Sequence, residues 1–195
     1  MKKLIGIFEW ILCLVLIVVC FKLSSLSYLT LSPLKAHERS ESTHHYGPSK
    51  VIETVDTNFG KIYLCRYKDW ISADTVNKKF LFWSSGDQVG GSKIDYDEIV
   101  NFTWFYSGSE PYIKLHGIAN DKNITSMEII NIVDKEFYYQ KKVNGEAMFV
   151  FCIEGEDANL IMDHSDNIFL IGKNDEGEEV FKHNIWDTIT GDWNS

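Results

Sequence analysis

An apolar run at residues 4–21, preceded by Lys2 and Lys3 and closed by Lys22, constrains this chain more than any other feature. Eighteen helical residues rise about 27 Å, close to the roughly 30 Å of a bilayer's hydrocarbon core. Glu9 is its one charged residue, so a soluble helix with a polar face is nearly excluded. The run predicts a transmembrane helix over 4–23 with a cytoplasmic start at 1–3, because lysines flanking a first span stay inside. The rest is then extracytoplasmic, and the protein a single-pass protein of the cell membrane. Signal cleavage after Ser27 remains an alternative, since Ser25 and Ser27 are the small residues a signal peptidase reads. Lipoprotein processing at Cys20 is disfavoured by Val19 before it. Glu9 has two readings: contact with another membrane protein, or a carboxyl tolerated near the inner interface.

Charge concentrates beyond the run. From Ala36 onward there are 27 acidic residues against 15 lysines and arginines. Such a surface repels nucleic acid, which needs a basic footprint, and anionic head groups as well. A cationic protein partner, or none, fits better. Only Arg39 and Arg66 break the dominance of lysine among the basic residues, a bias that AT-rich codons of a low-GC bacterium produce.

Residues 24–50 read as a polar linker, rich in Ser, Thr and His, broken by Pro33 and Pro48 and without hydrophobic period. His37, His44 and His45 offer imidazoles there. Without nearby Cys or an ordered frame they make a weak metal signal.

From 51 to 190 short apolar or alternating runs are punctuated by Gly, Asn and Asp. Strands are expected at 51–57, 61–67, 79–83, 99–106, 112–118, 126–133, 137–143, 147–154, 168–172 and 179–185, with 191–195 as a tail. They are dense in residues that suit a pleated surface. Asn144-Gly145 gives the clearest hairpin signal, of type I′. No long stretch has helical period. The expected fold is therefore mainly β, an antiparallel β-sandwich behind one N-terminal transmembrane helix, with a partly open β-barrel as alternative. Phe102, Trp104 and Tyr106 share one strand face, which reads as a packed face before it reads as a sugar platform.

Few residues suggest chemistry. Cys65 and Cys152 lie within expected strands and could form a disulfide in an oxidising compartment, or remain ordinary buried thiols. Asp163, His164 and Asp166 form a polar cluster without the glycine and closing glutamate of a calcium loop. The acidic stretches 95–98 and 175–179 read as exposed turns. No nucleophile elbow, phosphate loop or zinc-protease helix is present. No catalytic residue, metal site or cofactor is thus implied.

Two stretches, 117–124 (GIANDKNI) and 169–177 (FLIGKNDEG), are similar to turn-and-strand segments of a group of small single-span membrane proteins of Bacillus and its relatives. The resemblance implies an exported β domain and no activity. The leading expectation is a non-enzymatic binding or sensing module at the cell envelope, with the membrane and an envelope protein as partners. One alternative is a small envelope enzyme acting on peptide or sugar through Asp163, His164 and Asp166. Another is an immunity or accessory protein acting through its span, Glu9 included.

Overall fold

The computed structural model describes residues 2–23, 28–86, 90–108, 111–132, 138–163 and 165–188. Helix α1 covers Lys2–Leu23. Its described side chains run from 9 to 20, and the apolar ones among them, Trp10 to Val19, are exposed. Among the described residues, which on α1 include the side chains of 9–20 alone, no helix is long and apolar enough to cross a membrane, so the expected transmembrane helix over 4–23 is not shown.

Helix α2 (Pro33–Thr43) starts where Ser32 caps it, accepting a hydrogen bond from Lys35 N, with Pro33 in the first turn. It packs on β3 (Trp70–Lys79) and β4 (Phe82–Ser85). The polar-linker reading of 24–50 is corrected here. Ala36, His37, Ser40 and Glu41 are buried, and their spacing puts them on one helical stripe. The stripe is real but polar, so hydrophobic periodicity does not reveal it.

The remaining strands are β1 (Lys50–Asp56), β2 (Gly60–Tyr67), β5 (Ser92–Lys93), β6 (Val100–Ser107), β7 (Tyr112–Ala119), β8 (Ser126–Asn131), β9 (Tyr138–Lys142), β10 (Met148–Glu154), β11 (Ile168–Lys173) and β12 (Glu179–Asn184). They form three antiparallel sheets. The first runs β1-β2-β3-β4, with β5 beside the other end of β3; the second β10-β7-β6; the third β12-β11-β8-β9. A short helix α3 (Glu156–Asp163) follows β10.

The fold is thus mainly β and antiparallel, as expected, and consistent with a β-sandwich. Side-chain alternation shows how the sheets stack. Met148 and Val150 of β10 pack with Ile62, Leu64, Ile71 and Ala73 of the first sheet. Phe149, Phe151 and Ile153 face the other way, against Met127, Ile129, Ile168 and Leu170 of the third. The second sheet is therefore the middle layer, and every residue of β7 is buried. The chain passes from β7 to the third sheet, returns for β10, then leaves again, which ties the two layers together. Phe102, Trp104 and Tyr106 pack against the core between them.

Ten expected strands correspond to β1, β2, β4 and β6 to β12, although positions 133–137 lie outside the described residues. Neither β3 nor β5 has a counterpart in the sequence reading. The Asn144-Gly145 turn also differs from expectation. It joins β9 and β10 of different sheets, and the positive φ falls on Ala147. Asn144 Oδ1 accepts from Glu146 N and Met148 N and so makes a wider turn.

Candidate functional site

The polar stripe of α2 lies over the outer face of the first sheet. On β2, Ile62 and Leu64 point inward, while Tyr63 and Cys65 point out towards α2. Cys65 is paired with Ser72 of β3, and Tyr63 with Asp74. Cys65 and Asp74 are therefore diagonal neighbours on one face. His37 lies above them, and Glu41 follows one turn later on α2.

These four side chains converge. His37 Nε2 is 3.6 Å from Cys65 Sγ and 3.5 Å from Glu41 Oε1. His37 Nδ1 is 3.0 Å from Asp74 Oδ2, although the ring is not aligned for a hydrogen bond. His37, Cys65 and Asp74 are each at most 1% exposed, and Glu41 4%. The thiol also reaches Tyr63 O at 3.5 Å, and the His37 and Tyr63 rings are 5.0 Å apart.

The loop after α2 seals the site. Ser49 N donates to Glu41 Oε2 at 3.3 Å. Gly47 has φ +94°, and a Cβ there would stand 2.7 Å from the same oxygen, so both backbone and space call for glycine. Tyr46 closes the edge against Tyr67, with ring centroids 5.4 Å apart.

Burial sets the electrostatics. It pushes the Cys65 thiol up to about 12, and the negative charges of Asp74 and Glu41 add to the rise. Burial likewise takes Tyr46 to about 12. For His37 burial opposes the charged ring, but Asp74 beside it, with Glu41 and Glu38, outweighs this and raises its pKa above 6.5. Several polar atoms have no hydrogen-bond partner, Asp74 Oδ1 and the Ser40 hydroxyl among them, while Asp74 Oδ2 and Glu41 Oε1 meet only the His37 ring. Native proteins seldom leave so many buried polar groups unpaired in one place.

The residues singled out from the sequence lie elsewhere, His37 and Cys65 excepted. Cys65 and Cys152 are both free thiols, so of the two readings the disulfide is corrected. Cys65 belongs to the outer face of the first sheet, whereas Cys152 packs against the core on its inner face. A sheet backbone separates them. Asp163 ends α3 and Asp166 lies in a 3₁₀ turn, both exposed, while His164 is outside the described residues. His44 and His45 are exposed and take no part in the cluster. Glu9 is exposed on α1. Asp74 and Glu41 were not legible as site residues, because the strand and helix that carry them lack apolar periodicity.

A wholly apolar alternative is slight. Trp104, Ile161 and Trp186 help line a cavity of about 20 Å³ between the second and third sheets, room for roughly one water in a wholly apolar setting. Comparison with known proteins adds no relative: no protein-family model, no curated protein and no solved structure matches this chain.

Proposed function

We propose that the protein is a membrane-anchored extracytoplasmic module, non-enzymatic, in which α1 holds a three-layered β domain at the cell envelope to bind or monitor a protein partner. The observation that carries this reading is the surface of α1. Trp10, Ile11, Leu12, Leu14, Val15, Leu16, Ile17, Val18 and Val19 are all exposed, from 43% to 77%. Those positions surround the helix, and a helix apolar all round belongs in a core or a bilayer. The 22 residues of α1 would rise about 33 Å, enough for the hydrocarbon layer. The acidic outer part favours a cationic partner. A resemblance to single-span proteins of Bacillus and relatives agrees with this arrangement.

Alkaline carbonate extraction of membranes, followed by protease added outside spheroplasts, tests both halves. The full chain should stay in the membrane pellet and be digested down to its span by the external protease. Release by carbonate removes the anchor, and protection from the protease reverses the topology. An envelope enzyme working through Asp163, His164 and Asp166 gains no specific support from the two exposed carboxylates.

A further inference from the structure

The cluster beneath α2 has the chemistry of a metal site. His37, Cys65 and Asp74 each place one donor atom within 4.8 Å of the others. Glu41 Oε1, 3.5 Å from His37 Nε2, offers a further oxygen one helical turn away. Donors around 2.0–2.3 Å from a tetrahedral zinc stand roughly 3.3–3.8 Å from one another. The 3.6 Å between Cys65 Sγ and His37 Nε2 and the 3.5 Å to Glu41 lie in that range, whereas Asp74 Oδ2 lies 3.0 Å from the other ring nitrogen, Nδ1, and would turn towards the ion on binding. The second observation is independent of this spacing. Asp74 is wholly buried and its Oδ1 has no hydrogen-bond partner, while Asp74 Oδ2 and Glu41 Oε1 meet only the His37 ring, at 3.0 and 3.5 Å. One imidazole between two buried carboxylates leaves part of their desolvation to be offset by a further cation.

We propose that His37, Cys65 and Asp74, with Glu41 as the fourth oxygen, form a closed site for a borderline-soft divalent cation, zinc foremost. Sulfur and imidazole donors select zinc over magnesium or calcium, which take oxygen shells. The donors come from α2, β2 and β3, so the ion would staple α2 to the first sheet. All four side chains are buried, which fits a structural site with every position filled by protein better than a catalytic one with an open position. The same row of atoms, thiol to imidazole to carboxylate, also has the order of a nucleophilic triad. A thiol with no exposed surface gives an acyl substrate no approach.

The test uses the full chain in detergent, stripped with a chelator and titrated with cobalt(II). The expected result is one cobalt per chain, with a sulfur-to-cobalt charge-transfer band in the near ultraviolet. Zinc should displace it and raise the Tm. Cys65→Ser should abolish the band, and Cys152→Ser should keep it. His37→Asn should weaken binding by more than about 100-fold, beyond what loss of an outer-shell partner costs. Circular dichroism of each stripped variant checks folding. Should Cys65→Ser or His37→Asn fail to fold, the wild type and Cys152→Ser still decide. A wild type without the band overturns the proposal, as does a band lost in Cys152→Ser or retained in a folded Cys65→Ser. Rapid stoichiometric alkylation of Cys65 in a folded chain that takes up no cobalt overturns it in favour of thiol chemistry.

Discussion

The two faces of the first sheet both carry buried side chains and are closed by opposite means. Its inner face meets the second sheet through Ile62, Leu64, Ile71, Ala73, Met148 and Val150. Its outer face meets α2 through His37, Ser40, Glu41, Ser72 and Asp74, with Ala36, Tyr63, Cys65 and Val76 among them. Each face contains a buried histidine or its neighbour. His37 sits among carboxyls. His116, between the sheets, has no partner on either ring nitrogen and lies near Lys114, whose Nζ donates to Thr75 Oγ1 at 2.8 Å. Apolar contacts stabilise wherever they form. Polar contacts stabilise only when each atom is paired, so the outer face is held to its composition by something other than folding energy.

The largest contrast comes from truncation. Leu64→Ala, on the inner face and wholly buried, should cost about 2–5 kcal/mol in urea unfolding of the full chain. Cys65→Ala, its neighbour on the outer face, should cost about 1 kcal/mol with chelator present. Equal costs would show that the two faces carry the same energetic load, and the distinction would fail.

A smaller contrast lies in acid. Burial, and then the charge of Lys114, lower the pKa of His116 to about 3. The unfolded chain binds that proton near 6.5 and the folded chain does not. Stability from this group is full above about 6.5 and falls as pH drops towards 3, by up to about 1.4 kcal/mol per pH unit. His37 has the opposite sign. Its folded pKa is raised, so its contribution is full below about 6.5 and is lost as pH rises through the folded value. In chelator, unfolding midpoints between pH 5 and 8 should lose their acid slope in His116→Leu and their alkaline slope in His37→Asn. Identical profiles for both variants would remove the assignment.

The same contrast decides what could be read from the sequence. On the inner and middle layers each apolar residue alternates with its neighbour or sits in a short apolar run, as in Met148 to Glu154. Nine strands are therefore legible near their true ends, while the expected strand 79–83 straddles the end of β3, a turn and half of β4. On the outer face the buried residues are polar. β3 places Ser72 and Asp74 where a strand signal expects Val or Ile, so it was missed. α2 reads as a solvated linker in the sequence because its inward stripe is Ala, His, Ser and Glu. Cys65 lies on a strand that the sequence shows, but nothing in the sequence chooses between a bridge to Cys152 and a buried thiol. Pairing across a fold needs the layer order, which alternation along single strands does not give.

The smallest effect is the sharpest statement of the difference between the faces. Ser40 is buried in α2, and its hydroxyl has no partner. Alanine removes that unpaired group and is the better helix former by a few tenths of a kcal/mol. Ser40→Ala should therefore stabilise the metal-free chain by about 0.5–1 kcal/mol, where a comparable change on the inner face destabilises. Chemical unfolding in chelator reads this directly. A loss of stability would mean that Ser40 makes a bond its neighbours depend on, and that the outer face is built for folding after all. A gain would mark a face whose polar residues are kept at a cost to stability.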